Sequence, residues 1–500
     1  MIALQGQHVL VLGLGASGLA MARWCARKGA RVTVADTRME PPQLKSLHEN
    51  IPEARFIHGS FNAGLLEGTD VRAVFVSPGL APADTAPVLA PAQAMGLWVG
   101  GELSLFAQAL TDLEATVQYQ PQVLAITGTN GKTTVTSLTG QLVARAGKSV
   151  AVAGNIGPTL LDTLSGVIDN AELPQVWVLE LSSFQLESCS AFEPTAGVVL
   201  NVSQDHLDWH GSMAHYAKAK SKVFGSKGLM ILNREDPLVM TMLPAQVKGR
   251  DSRSWVSFGA NLPQRPGDFG LEEVNGMVWL VRALESDETR KKRRETEELF
   301  IQRLMPADAL RIRGRHNACN ALAALALSAA AGCALAPILF GLREYRGEPH
   351  RVEPVGMVHG VEYFDDSKGT NVGATMAALQ GLGAERKLVV ILGGDGKGQD
   401  FAPLAGPVAR YVRAVVLIGR DASGIRAVLA GNNVPLLDAS SMEQAVEMAS
   451  QQAQSGDAVL MSPACASFDM FKNYEHRATV FCNAVRQLAL AQGAEMELSA

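Results

Sequence analysis

The stretch Thr127-Gly128-Thr129-Asn130-Gly131-Lys132-Thr133-Thr134 follows the apolar run 123–126 and precedes a helix-like segment at 135–146. A strand, a glycine turn and a helix that opens on Lys-Thr make a cradle for phosphate. The unpaired N–H groups of a helix start point at the anion, Lys132 neutralises it, and the Thr133 hydroxyl is placed to reach Mg²⁺. The common phosphate-loop pattern has a glycine five positions before Gly131, where this chain has Ile126, so the motif is a shortened variant. A bare strand-to-helix turn has no use for Lys-Thr-Thr. The expected ligand is a nucleoside triphosphate.

Two further apolar runs end in groups suited to a metal. The run Val176-Trp-Val-Leu ends in Glu180, and another ends in Asn201-Val-Ser-Gln-Asp205-His206. Ligands gather where the strands of an α/β sheet end. Mg²⁺ prefers oxygen, so a site that includes His206 must be completed by carboxylate, phosphate and water. Glu180 and His206 are therefore candidate metal ligands beside the phosphate loop.

A second glycine pattern, Gly13-Leu-Gly15-Ala-Ser17-Gly18, follows a strand-like run and is followed in turn by Asp36-Thr37-Arg38. This is the dinucleotide fingerprint, with Asp36 placed to accept from a ribose hydroxyl. The same parts suit any nucleotide diphosphate, since Thr37, Arg38 and Ser77-Pro78-Gly79 add groups for a second phosphate or a uracil ring. NAD and another nucleotide diphosphate both remain open on these residues alone.

These motifs need sheets to hold them. Short apolar runs alternate with helical stretches at 8–12, 19–28, 31–35 and 73–77, and the pattern weakens from 106 to 122. It resumes with runs at 123–126, 176–181, 197–202 and 228–232, then again at 387–392, 414–418 and 458–461. This is the rhythm of parallel β/α units, and 500 residues suggest about three domains. The expected class is α/β with a Rossmann-like N-terminal domain (1–110), a central P-loop ATPase-like domain (111–347) and a Rossmann-like C-terminal domain (348–500). The region 245–310 reads as less regular.

The net charge of −5, without a long basic block, argues against nucleic acid. The run Arg290-Lys-Lys-Arg-Arg294 is flanked by acids at 285, 287, 288, 295, 297 and 298 and reads as a solvated surface segment. Segment 317–342 lacks charge but is dominated by Ala and holds Asn320, Ser328, Gly332 and Pro337. It reads as two packed helices broken near Gly332, because a membrane span needs about 20 strongly apolar residues. Six cysteines without a CxxC pair, and an amino terminus without a charged, apolar leader, point to a reducing cytoplasm.

The phosphate loop, Gly154-Asn155-Ile-Gly157, Glu180-Leu-Ser-Ser-Phe-Gln185, Asn201-Val-Ser-Gln-Asp-His206, His316-Asn317 and His350-Arg351 together resemble the Mur ligases. These are ATP-dependent amide-forming enzymes of peptidoglycan precursor synthesis. The segments Asp365-Asp366-Ser-Lys368-Gly-Thr370-Asn371, Leu392-Gly-Gly-Asp-Gly-Lys397 and Ser462-Pro-Ala-Cys-Ala-Ser467-Phe-Asp-Met-Phe-Lys472-Asn473 are similar to those of the branch that adds D-glutamate.

That resemblance implies roles residue by residue. Gly128, Thr129, Asn130, Gly131, Lys132, Thr133 and Thr134 would hold the ATP phosphates and Mg²⁺. Asn317 would meet adenine, Asp366 the ribose, and Arg351 and Lys368 the ribose or phosphate region. Asn155 and Gln185 would touch the muramoyl-alanine part of UDP-N-acetylmuramoyl-L-alanine. Ser17, Asp36, Thr37, Arg38, Ser77, Pro78 and Gly79 would take its uridine diphosphate end. D-glutamate would lie on Thr370, Lys397, Ser467, Lys472, Asn473 and Tyr474. Lys220, four residues after Tyr216, would be carbamylated, and Thr133, Glu180, His206 and Lys220 would serve two Mg²⁺ ions. Lys132, His206 and Lys220 would be the catalytic set.

The implied enzyme is a cytoplasmic monomer without a membrane span. A folylpolyglutamate-type ligase, an NAD-dependent dehydrogenase and a nucleotide-gated binding protein are the alternatives. The first would lack the uridine site at Asp36, and the second leaves Lys132, Glu180 and His206 without a role.

Overall fold

A computed structural model describes residues 4–189, 191–245, 253–285, 299–312, 314–384 and 386–494. The charged run at 290–294 lies outside these. Among the described residues the longer strands form three sheets of five, nine and six strands.

The first sheet is all parallel, in the order Arg55–His58, Arg31–Asp36, His8–Leu12, Val71–Val76, Trp98–Gly100. Its chain order reverses on either side of His8–Leu12, the point where nucleotides bind in open parallel sheets. The Gly13–Gly18 turn leaves this strand and enters helix Ala16–Arg27. A Cβ on Gly18 would stand 2.0 Å from the Gly13 carbonyl oxygen, so only glycine lets the helix start this close to the strand.

In the second sheet the strand Gln122–Thr127 sits between Val176–Glu180 and Ala196–Val199, with Ile126 opposite Glu180 and Thr127 opposite Val199. This register puts the phosphate loop, Glu180 and the Asn201–His206 loop at one sheet edge. The strands Val150–Gly154, Leu229–Asn233 and Trp255–Phe258 extend the parallel part. The described part of the region 245–310 is more regular than its sequence suggests. Phe269–Val274, Met277–Glu285 and Leu299–Pro306 form an antiparallel meander at the sheet edge.

The weak pattern at 106–122 is likewise mostly helix. Glu102–Val117 buries Leu103, Leu105, Phe106 and Ala109, while its second half is largely exposed, so the apolar period fades towards solvent. The Ala-rich segment forms two helices as expected, Arg315–Ala330 and Leu335–Glu344. No helix among the described residues is long and apolar enough to cross a membrane.

The third sheet runs Glu353–Val358, Val361–Asp365, Ala458–Met461, Leu388–Gly393, Val412–Ile418, Leu436–Asp438, with only the first pair antiparallel.

One apolar core runs without a break from the first sheet into the second. It joins Val9, Trp24 and Phe75 to Phe106, then to Trp177, Leu179 and Tyr216. The cores of the third sheet take their residues from the C-terminal part alone, from Val352 onward.

Candidate active site

The helix Lys132–Arg145 starts on Gly131, whose φ of 83° is left-handed. Lys132 folds back over the loop and donates to the carbonyls of Gly128 and Thr129, both at 2.9 Å. Burial pushes its pKa down, partly offset by Glu180 nearby. The loop is clamped from behind by Asn201, whose Oδ1 accepts from the Asn130 N–H at 2.8 Å and whose Nδ2 donates to the Asn130 carbonyl at 3.1 Å. Tyr216 Oη lies 3.2 Å from Thr129 Oγ1. Asn201 was not among the expected site residues, although it stands just after the strand Ala196–Val199, at the head of the run Asn201–His206.

Glu180 is 2% exposed. One carboxylate oxygen accepts from Asn155 Nδ2 at 2.8 Å, and the other, Oε2, is buried without a hydrogen-bond partner among the described residues. A carboxylate oxygen left in this state is costly unless a cation completes it. Gln185 is buried too, but its Oε1 accepts from the Ser182 N–H at 3.0 Å and from the Ser182 hydroxyl at 3.1 Å, closing a capping box for helix Ser183–Glu187. Its first task here is to shape the loop after Glu180.

His206 is partly exposed, with Nε2 3.5 Å from Asp205 Oδ2, and burial lowers its pKa against the pull of Asp205. Its ring meets Phe184 edge-on at 4.8 Å, and Phe184 also contacts Trp209 and His210. This aromatic cluster fixes the ring plane. Lys220 is 1% exposed, donates to the Gly128 carbonyl at 2.8 Å and lies 4.3 Å from the Tyr216 ring centroid. Burial, reinforced by Lys132, pushes its pKa well below that of a free lysine.

Two elements of the third sheet reach this edge. Arg351 Nη2 donates to Thr133 Oγ1 at 2.9 Å, so the Thr133 hydroxyl is engaged by a guanidinium. Lys397 Nζ lies 3.8 Å from Asp205 Oδ1. Asp366 is buried and accepts from Ser462 Oγ at 2.6 Å, and burial raises its pKa to about 7. Lys368 Nζ lies 5.3 Å from the Tyr474 ring, while Asn473 caps helix Tyr474–Ala491 by accepting from the His476 N–H at 2.7 Å. Lys472 is exposed, Ser467 is buried in the loop after Ala458–Met461, and Thr370 is half-buried beside Lys368. Asn317 sits in the first turn of helix Arg315–Ala330, where its Oδ1 accepts from Asn320 at 3.1 Å.

The uridine-side candidates are spread over the end of the first sheet. Asp36 is buried, and both its oxygens are taken: Oδ2 by the Leu14 N–H at 2.7 Å and Arg38 Nη2 at 2.8 Å, Oδ1 by the N–H and Nε of Arg38 at 2.9 Å. Burial opposes its ionisation, but these donors outweigh it and hold the carboxyl at about 2. In this structure Asp36 braces the glycine turn and aims Arg38. Thr37 is exposed beside it, and Ser17 donates to the buried Glu102. Ser77 and Pro78 line a cavity of about 610 Å³ that continues past Leu80 and Phe184 to Lys222, with Gly79 next in the chain. The site thus gathers a phosphate cradle, a carboxylate with one oxygen free of hydrogen bonds among the described residues and cations from two sheets, a set able to transfer a phosphoryl group to an acid.

Three family models match. The Mur ligase MurD-like N-terminal domain covers residues 7–101, the Mur ligase middle domain 126–328, and the Mur ligase glutamate ligase domain 350–465. The chain is 70% identical to UDP-N-acetylmuramoylalanine--D-glutamate ligase of Albidiferax ferrireducens, over 99% of each chain. It is 58% identical to the protein of that name from a Polaromonas species, over 98% of this chain and 99% of the relative. Among solved structures, MurF ligase of Thermotoga maritima in complex with ADP aligns with a TM-score of 0.57 at 16% identity, covering 97% of this chain and 96% of the other. Domain models along most of the chain and a relative this similar over its whole length agree with the phosphate-loop geometry: the chain belongs to the Mur ligase family.

Proposed function

We propose that this chain joins D-glutamate to UDP-N-acetylmuramoyl-L-alanine at the expense of ATP, in peptidoglycan precursor synthesis in the cytoplasm. The observation that carries this is the edge where Lys132, the half-satisfied Glu180 and Arg351 converge on one phosphate loop, in a chain 70% identical to a relative named for that reaction.

A carboxylate is a poor electrophile, so it is first activated. The L-alanyl carboxylate oxygen attacks the γ-phosphorus of ATP, the bond to ADP breaks, and an acyl phosphate forms. The D-glutamate amine then attacks the acyl carbon, phosphate departs with the carbonyl–oxygen bond electrons, and the amine gives up a proton. Here the protein's share is positioning and charge neutralisation. Lys132 and the loop N–H groups cradle the transferred phosphate, and Arg351 brings a second cation to it. Asn317, Asp366 and Lys368 hold the nucleoside side. Residues 1–110 would carry the uridine diphosphate end through Arg38, Thr37 and the Ser77–Gly79 turn, residues 111–347 ATP, and residues 348–500 D-glutamate through Thr370, Lys397, Ser467 and the 472–474 segment.

The buried, unpartnered Glu180 Oε2 fits a hard divalent cation. Glu180, His206, Thr133 and a carbamylated Lys220 would hold Mg²⁺, which supplies charge neutralisation at the phosphate oxygens. The enzyme would act as a monomer, and its six cysteines are all free thiols.

Phosphate release measured with ATP and each substrate alone or together tests the proposal. Release that requires both UDP-N-acetylmuramoyl-L-alanine and D-glutamate supports it. No release with the pair would sink it, and a folate substrate in their place would favour the folylpolyglutamate-type alternative.

A further inference from the structure

The phosphate loop and the amino-acid side of the site belong to different sheets, yet one pair of side chains ties them together. Asn130 Nδ2 donates to Asn371 Oδ1 at 3.3 Å, and Asn371 Nδ2 donates to Asn130 Oδ1 at 3.1 Å. Each amide is donor and acceptor at once, so the pair is reciprocal and neither aspartate nor serine reproduces it.

Both ends of the pair are rigidly mounted. Asn130 is held through its backbone N–H and carbonyl by Asn201, leaving its amide free to face Asn371. Asn371 is 5% exposed and caps helix Val372–Gly383 by accepting from the Ala374 N–H at 2.9 Å. Two residues on, a Cβ at Gly373 would lie 3.0 Å from Ser203 Oγ and 3.1 Å from Asn130 Nδ2, so this helix start rests directly on the phosphate-loop side. The same helix is fastened to the other face of the site by Thr375, whose Oγ1 donates to the Ser462 carbonyl at 3.1 Å. Ser462 Oγ reaches Asp366 Oδ2 at 2.6 Å. Thr370 immediately precedes Asn371.

We infer that Asn371 is a positioning residue: its amide pair with Asn130 sets the phosphate loop against the loop that presents the amino-acid substrate, so that the activated carboxyl and the incoming amine meet. The inference rests on the ligase function proposed above. Capping and positioning are separable, because serine also caps helices well but is too short to pair with Asn130.

The test uses the full chain as parent, Asn371→Ser, Asn130→Ser and the double variant. Each single change is expected to lower kcat/KM for D-glutamate about tenfold, the scale of losing a pair of neutral hydrogen bonds. The double variant should lose no more than either single one, since both remove the same contact. Melting temperatures should move by less than about 3 °C. Small-angle scattering of the chain alone gives a readout independent of turnover, with the three variants expanding equally relative to the parent. Additive losses near a hundredfold, parent-like kinetics of Asn371→Ser, or a loss that disappears once the variant is cooled below its melting transition would overturn the inference. So would unchanged scattering. If the parent itself releases no phosphate with D-glutamate while the variants expand together, the ligase function fails and the tie between the loops stands.

Discussion

Lys132 and Lys220 donate to the same acceptor, the Gly128 carbonyl, at 2.9 and 2.8 Å. Two buried amines on one oxygen repel if both are charged, and both pKa values are pushed down, first by burial and for Lys220 next by Lys132. The arrangement favours one cation and one neutral amine. Lys132, with Glu180 close by, is the one better placed to keep its charge.

Replacing Lys132 by Ala removes that charge from the phosphate cradle while Asn201 still clamps the loop. Turnover is expected to fall by at least about a thousandfold, as for loss of a transition-state charge partner. Trapping of the acyl phosphate by reduction checks it, and trapping at the parent's level would show the loop to be structural only.

A neutral Lys220 amine is a nucleophile for CO₂: nitrogen attacks carbon, a proton leaves, and a carbamate anion results. The anion would turn repulsion from Lys132 into attraction and offer oxygens to a cation. Lys220→Ala should lose most activity and regain part of it with a small carboxylate such as acetate. An intact-mass spectrum of the parent under CO₂ that shows only the free amine would count against the carbamate.

Asp366 gives a pH signature. Burial raises its carboxyl from 3.8 to about 7, so between those values the folded chain keeps a proton that the unfolded chain releases. Stability conferred by that proton is present below the unfolded value and is lost as pH rises through the folded one. Asp366→Asn removes the titration, and its stability relative to the parent should grow between pH 5.5 and pH 8 by about 2 kcal/mol. Urea midpoints at the two pH values measure this; a constant difference would contradict it. ATP affinity should fall in the same variant.

Gly18→Ala places a methyl against the Gly13 carbonyl oxygen at a separation no relaxed contact allows. The expected cost is about 2–4 kcal/mol, with a raised KM for the uridine-bearing substrate and an unchanged KM for ATP. Equal rises in both would show a global fold defect in place of a local one.

The phosphate loop, Glu180 and His206 were legible because each is written at the end of an apolar run, where chain order and local chemistry coincide. The strand register then places Ile126 opposite Glu180. The meander of Phe269–Val274, Met277–Glu285 and Leu299–Pro306 was not legible, since its strands lie at a sheet edge and bury only part of each side. Gln185 carries a second task beside the expected substrate contact: Ser182 and Gln185, three residues apart, make a capping-box pattern that is visible in sequence. The expected role of Asp36 as a hydroxyl acceptor was legible from its position after a strand, whereas its bracing by Leu14 and Arg38 is brought together only in the folded turn. The Asn130–Asn371 pair joins residues 241 positions apart and leaves no local trace.

The apolar core that passes from Val9 through Phe106 to Trp177 stops short of the third sheet, which meets the phosphate loop through Arg351, Asn371 and Lys397. The first two sheets therefore share an apolar block, and the third is a separately packed module that meets it through polar contacts. On the function proposed above, amino-acid choice would sit in that module. Such a module can diverge or be exchanged without repacking the apolar interior of the first two sheets, which makes the seam near residues 346–352 a natural place to build chimeric ligases.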